Sequence, residues 1–515
     1  MAAGRHIGGG AGRSRIRGAL ALLAAFLISL WVLAANGGAL FYYDSGSYVE
    51  RGQQVLSLVG LDMPTLSSGP RTDLGSPDGP ALAGEPETVD GSRSMVYSLL
   101  TGLFLWAGAL EGMVLFNALL AVGTVWLAVR VTLRDLPGAP APGLVTLAAT
   151  GAAALGSLPF YVAYLMPDIL APVLILVAAL LAACAPRMRL WELALATALG
   201  VLAVTTHLSH LAMAGLLVPL VALTALLRPG PRRWLAPLLM LAVLGMGAGE
   251  QKVLRVAADK VEKAEVVYRP FLTARLIQDG PGYAYLDEYC PDTAIPTCAL
   301  FDALSRSEDP RRLTATNIAF AVTPDLGSFQ LLPGRDRLEV AQAQFDFFLD
   351  VLRDRPLATV WAFAENVLYQ MVLTSVDMTL QTDDIVARNV DLPGLVLGGF
   401  SHGRLTEDLA WLSWADPAQA LLYALSLAVL AGALASRRLP GSVAAFLIMV
   451  LAGIAVNAAV CGGLSQPATR YGARVIWLLP AAAVLASAVL LARPGRHALP
   501  GAAAAAAGPA PRRGR

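Results

Sequence analysis

The chain has 515 residues, 56% of them hydrophobic and only 15% charged, with a mean hydropathy of +0.60. Soluble domains carry nearer a quarter charged residues, so the composition excludes a water-soluble enzyme and predicts a mainly α protein that crosses a membrane many times. The net charge of +1 gives no sign of a nucleic-acid partner, and none is expected.

Arg13, Arg15 and Arg17 precede a first apolar run at 18–36, which reads as an uncleaved signal-anchor. The run ends at Phe41–Tyr48 (FYYDSGSY), where Asp44 emerges on the face away from the arginines. The first outer loop, 37–93, is acidic, with Asp44, Glu50, Asp62, Asp73, Asp78, Glu85, Glu87 and Asp90 against Arg51, Arg71 and Arg93. Within it, 60–92 is rich in Gly, Pro and Ser and reads as a mobile loop able to close over substrate. The short apolar stretch 94–109 reads as a helix on the outer surface.

Further runs long enough to cross lie at about 111–133, 143–159, 168–184, 190–206, 208–227, 233–250, 416–436, 441–461 and 472–492. Arg130 and Arg134, Arg187 and Arg189, Arg228 with Arg232 and Arg233, Arg437 and Arg438, and Arg493 and Arg496 all fall on one side if there are ten spans. Both termini are then cytoplasmic, and the expected setting is a bacterial inner membrane. Four regions follow: a membrane region 1–250, an outer segment 251–415, a second membrane region 416–492, and a cytoplasmic tail 493–515 that is low in complexity from Gly501 and expected to be disordered.

The outer segment is long enough for a small domain. Its start, 251–267, has apolar residues at helical spacing. Cys290 and Cys298, close together with prolines between them, are expected to form a disulfide in an oxidising compartment; the alternative is two unrelated thiols. Pro356–Val376 contains Glu365, Asn366 and Gln370 and reads as a second outer-surface helix. The alternative is that it and 94–109 both span, which restores the parity of the arginines. No zinc-ligand spacing and no redox CxxC occur.

Several groups converge on the outer face. Asp44 and Tyr48 follow the first span, and Arg93 precedes the surface helix in GSRSMVYSLL. Asp168 opens the fourth span in LMPDIL, and His207 and His210 mark the turn after the fifth (THLSH). Arg470, Tyr471 and Arg474 (RYGAR) precede the tenth. These are the group types a sugar transfer from a polyprenyl phosphate needs. A carboxylate accepts the proton of the attacking hydroxyl, a guanidinium stabilises charge on the departing phosphate, and a lipid-facing groove admits the polyprenyl chain. Each also has a plainer reading: Asp44 as a helix-end residue, Asp168 as an N-cap, Arg470 and Arg474 as headgroup anchors, the histidines as turn or packing residues.

On FYYDSGSY, GSRSMVYSLL, MPDIL and RYGAR, the chain resembles the GT-C superfamily of integral membrane glycosyltransferases, in the style of protein O-mannosyltransferases and aminoarabinose transferases. The resemblance covers about 1–250 and 416–492. It implies that Asp44 is the catalytic base and that the donor is a polyprenyl-phosphate sugar. It further implies inversion at the anomeric centre. From their convergence on the outer face, Asp168 is a second candidate catalytic acid, and Tyr48, Arg93, His207, His210, Arg470, Tyr471 and Arg474 are the candidate substrate-binding groups. The acceptor would be a glycan, a lipid or a protein. Many members carry two adjacent acids in the first loop, whereas Asp44 is followed by Ser45, which weakens a metal-dependent mechanism; no cofactor is expected beyond a possible divalent cation. The segment 251–415 matches no domain of that superfamily. Three competing classes remain. A polymerase or ligase of lipid-linked glycans would favour an outer loop rich in arginine and histidine, whereas the outer segment holds only His402. A transporter would place acids and arginines deep within its spans. A non-catalytic assembly factor would need none of the outer charges to react.

Overall fold

A computed structural model describes residues 9–64, 88–290, 295–389, 392 and 395–492. Residues 65–87 of the first loop and the tail 493–515 lie outside the described residues, as do the side chains of Arg13 and Arg15.

The described chain is mainly α-helical. The first membrane region runs α1 (Gly9–Ser29), α2 (Trp31–Asn36), α3 (Ser45–Leu58), α4 (Met95–Trp106), α5 (Gly112–Leu133), α6 (Pro142–Ala154), α7 (Leu158–Ala163), α8 (Leu170–Cys184), α9 (Leu190–Val204), α10 (Leu208–Leu227) and α11 (Leu235–Ala257). Residues 251–415 hold α12 (Phe271–Gln278), α13 (Pro281–Tyr289), α14 (Cys298–Ser305), α15 (Ala315–Phe320), α16 (Gly334–Asp354), α17 (Pro356–Val372), α18 (Asp383–Asn389) and α19 (Arg404–Glu407). The chain continues with α20 (Leu412–Ala435), α21 (Gly441–Ala458), α22 (Thr469–Ile476) and α23 (Leu478–Leu491).

Among the described residues, six helical stretches are long and apolar enough to cross a membrane alone: Gly112–Leu133, Pro167–Arg187, Leu208–Leu227, Leu412–Ala435, Gly441–Gly463 and Thr469–Leu491. The four other predicted runs hold α1 with α2, α6 with α7, α9, and α11. Two of these are interrupted by short non-helical steps. Past the end of α1, the Trp31 indole donates to the Ala154 carbonyl at 2.9 Å. Between α6 and α7, the Tyr423 hydroxyl accepts the Ser157 N–H at 2.9 Å while Ser157 Oγ donates to the Ala473 carbonyl at 2.5 Å.

The stretch Pro167–Arg187, which contains α8, is the hub, with 89% of its apolar window buried. It packs against α5, α9, α10 and α21. Close approach needs small residues: a Cβ on Gly453 of α21 would stand 2.5 Å from Ile175 of α8.

Ahead of the stretch 60–92, most of which lies outside the described residues, the first loop folds back into α3, which crosses α4 so tightly that a Cβ on Gly52 would meet the Ser98 carbonyl oxygen at 2.1 Å. Asp168 departs from its N-cap reading. It lies inside a short 3-10 turn, Pro167–Ile169, and its carboxylate caps no helix. The stretches 94–109 and 356–376 are both helical, as α4 and α17. Beyond α11, β2 (Glu265–Val267) pairs in parallel with β1 (Thr88–Asp90), joining the first loop to the outer segment. A second apolar cluster, including Ile277, Leu286, Phe301, Phe329 and Phe347, forms under α12–α16. Cys290 and Cys298 are disulfide-bonded there, with Cα atoms 5.4 Å apart.

Candidate active site

Backbone pairing brings two distant segments together. The Leu40 N–H donates to the Ala163 carbonyl at 2.9 Å, and the Leu165 N–H donates back to the Leu40 carbonyl at 2.8 Å. Ser45 tightens the turn: its Oγ accepts the Tyr42 N–H at 2.9 Å and donates to the Leu165 carbonyl at 3.1 Å. FYYDSGSY is thereby laid against LMPDIL, and Asp44 comes within range of the start of α22.

A chain of charges runs through this junction. Asp44 Oδ1 accepts Arg93 Nη2 at 2.5 Å, and its Oδ2 lies 3.9 Å from Arg470 Nη1. Arg470 turns its other edge to Asp168, with Nε to Oδ1 at 3.1 Å and Nη2 to Oδ2 at 2.6 Å, a fork-on-carboxylate pair. Its guanidinium also lies over the Tyr42 ring, 4.7 Å from the centroid. Arg474 Nη1 lies 3.4 Å from Asp168 Oδ1, while Nε and Nη2 donate to Asn457 Oδ1 at 3.0 and 2.8 Å.

The loop that leads into Arg470 is clamped from outside. Gln370 of α17 donates to the Ala468 carbonyl at 3.0 Å and accepts its N–H at 2.9 Å. Gly472 passes so close to the Leu373 carbonyl oxygen that a Cβ there would stand 1.8 Å from it.

Above Asp44 opens a cavity of about 670 Å³. Asp44, Arg93, Arg470 and Tyr471 line it, together with Glu50, Arg51, Asp90, Arg269 and Arg388. Thr316, Asn317 and Phe320 of α15 form part of its wall, and Thr316 Oγ1 donates to Gln466 Oε1 at 2.5 Å to join that wall to the α22 loop. Five arginines against three acids leave the lining net positive, which favours an anionic ligand.

Asp90 is ion-paired to Arg269 at 3.0 Å and accepts the Ser92 N–H at 2.8 Å. Burial pushes its pKa up, but Arg269, Arg93 and the Ser92 amide outweigh this and hold it below the ordinary 3.8. For Arg93, burial disfavours the charge, and the carboxylates of Asp44 and Asp90 more than offset it, so its pKa lies above the usual arginine value.

Five of the anticipated site residues stand outside the cavity lining. Asp168 and Arg474 are buried behind Arg470. Tyr48 is buried under Arg93, whose guanidinium lies 5.7 Å from its ring, and its edge packs on Tyr97. His207 sits at the N-cap of α10 and accepts the Ser209 N–H, and His210 is buried beside the Ala203 carbonyl at 2.9 Å. Conversely, Glu50, Arg51 and Gln54 were not anticipated. Ser47, Glu50, Arg51 and Gln54 recur at helical spacing opposite Val49, Gly52 and Leu56, and that period was the available signal.

As to metal, the oxygens of Asp44 and Asp168 face guanidiniums. Among the described residues no group of three or more His, Cys, Asp or Glu side chains could hold an ion.

A second space lies beside the first. Met95, Val96 and Leu99 of α4, Leu190 to Leu202 along α9, and Leu235 to Val253 along α11 border an apolar groove of about 1150 Å³. From Leu190 to Thr205 it follows α9 for ~22 Å, most of the hydrocarbon thickness of a bilayer. Glu250 closes one end and accepts the Met95 N–H at 3.1 Å.

No protein-family model matches the sequence, and no curated protein does. Among solved structures, the chain is similar to the one titled crystal structure of ArnT from Cupriavidus metallidurans in the apo state. The identity is 15%, 93% of this chain and 78% of that chain are covered, and the TM-score is 0.31. A likeness of that size carries no argument about the site.

Proposed function

We propose that the chain is a membrane glycosyltransferase of the GT-C type that moves a sugar from a polyprenyl-phosphate donor to an acceptor hydroxyl where the cavity opens. That face is the periplasmic or outer side of a bacterial inner membrane in this reading. The observation that carries it is the meeting of a polar and an apolar space at one short segment. Arg93 lines the charged cavity, while Met95, Val96 and Leu99 line the bilayer-long groove. A substrate with a long apolar chain and a phosphate head fits that junction.

In the reaction, the acceptor oxygen forms a bond to the anomeric carbon as the bond from that carbon to the phosphate oxygen breaks. The electron pair leaves with the polyprenyl phosphate and the hydroxyl proton passes to Asp44; attack on the face opposite the phosphate inverts the anomeric centre. Arg93 and Arg470 flank the Asp44 carboxylate and are placed to meet the phosphate. Asp168 and Arg474 serve from behind: Asp168 grips the Nε and Nη2 edge of Arg470 and so leaves Nη1 turned toward Asp44 at the cavity. Donor binding therefore falls to Arg93 and Arg470, with Tyr471 beside them, and the acceptor approaches from the α15 side.

The test compares envelope lipids and glycans by mass spectrometry with and without the protein, then reconstitutes transfer from the species that accumulates. A lipid-linked sugar should build up in its absence, and wild-type protein, but not Asp44→Asn, should consume it. An unchanged lipid-linked pool would overturn the assignment.

A further inference from the structure

At the end of the bundle opposite the cavity, α5 and α9 close on one carboxylate. Glu192 is wholly buried; it receives Arg130 Nε at 3.3 Å and Arg134 Nη2, and its other oxygen accepts the Arg189 N–H at 2.9 Å. One acid therefore faces two guanidiniums. Arg187, Arg189 and Arg228 lie on the adjoining turns, and the other nearby acid is Asp135, 3.6 Å from Arg187. Arg228 Nη1 is bound to the Ala183 carbonyl at 3.2 Å. The patch is strongly positive and its inner arginines are fixed.

It is also aromatic. The indoles of Trp126 and Trp191 stack with centroids 6.3 Å apart, and the Arg130 guanidinium lies 5.5 Å from one ring and 5.4 Å from the other. Trp191 is 43% exposed, and Leu195, one turn along α9, is 38% exposed. Stacked tryptophan at the end of a span sits at headgroup level in a bilayer. A guanidinium held on such a pair loses little freedom when it binds an anion. Both α5 and Pro167–Arg187 end here, so the patch is at the membrane boundary.

We propose that this patch binds an anionic phospholipid. The headgroup phosphate and its extra negative charge meet Arg130, Arg187 and Arg189, and an acyl chain lies along Trp191 and Leu195. Charge complementarity selects the anionic class, and the exposed apolar strip just inside the arginines selects a lipid over a free anion. This site is separate from the cavity and does not rest on the transferase reading.

Native mass spectrometry of the full-length protein, titrated with phosphatidylglycerol and with phosphatidylcholine of the same acyl chains, tests it. Phosphatidylglycerol should bind more tightly. Arg187→Gln with Arg189→Gln should weaken it by about fivefold per arginine removed and leave phosphatidylcholine binding little changed. Both side chains are exposed, so the melting temperature should be kept. Trp191→Ala should shorten the residence of both lipids. Equal affinity for the two lipids, or unchanged phosphatidylglycerol affinity in the double variant, would overturn the proposal. So would displacement of the lipid by millimolar inorganic phosphate, which would mark a free-anion site.

Discussion

At the scale of single residues, the site divides into groups that face the cavity and groups that hold them. Asp44 has its carboxylate at the cavity edge and Asp168 has its own behind Arg470, so equivalent substitutions should fail differently. Asp44→Asn keeps size and most hydrogen bonding; reconstituted transfer should fall on the order of 10²–10⁴-fold while the protein melts as before. Asp168→Asn strips the counter-charge from two buried guanidiniums, and breaking such a pair costs roughly 3–5 kcal/mol. That variant should lose thermal stability in detergent as well as activity, and a melting curve unchanged from wild type would contradict the positioning role. The residue types were legible in the sequence, because charged residues at the ends of apolar runs are few. Which of them face the cavity was not. Asp44, Arg93 and Arg470 line it, whereas Arg474, four residues beyond Arg470 and on the same helical face, is consumed by Asp168 and Asn457. Position along a chain gives depth in the membrane but not which neighbour a side chain meets.

At the scale of elements, the apolar helices could be read directly from composition, and α3 could not. Its mixed sequence resembles a polar loop, and it becomes a half-buried helix because it packs on α4 and roofs polar space rather than lipid. The α3–α4 crossing carries Asp44 at one helix start and Arg93 just before the other. Gly52→Ala would place a Cβ 2.1 Å from a backbone oxygen, so the helices must part. Overpacking of this kind costs about 1–3 kcal/mol, and transfer should drop with it. Gly123→Ala, where a Cβ meets nothing within 4 Å, should leave both unchanged. Differential scanning fluorimetry beside a transfer assay would separate the two variants; equal behaviour would mean the close crossing has no bearing on the site.

At the scale of the whole molecule, the unforeseen connection is the parallel pairing of β1 with β2, because it joins residues separated by much of the membrane region. No local pattern announces a three-residue strand whose partner lies so far along the chain. The buried Asp90–Arg269 pair reinforces it. Since the folded pKa of Asp90 lies below the ordinary 3.8, the group contributes stability above that value and loses it as pH falls through the lower folded value. The wild-type melting temperature should therefore drop on acidification below about pH 4. Asp90→Asn should start less stable at pH 7 and show a shallower drop; parallel curves would place the acid sensitivity elsewhere.

The apolar groove beside the cavity has a kinetic consequence. A carrier whose tail stays among α4, α9 and α11 while its head turns past Arg93 need not leave the bilayer. Spent and charged carriers would then exchange by lateral diffusion in two dimensions. The rate should follow the mole fraction of carrier within the membrane, not its concentration in the sample. Diluting reconstituted vesicles with inert lipid, at fixed total carrier and protein, should slow turnover in proportion, whereas adding buffer should leave it unchanged.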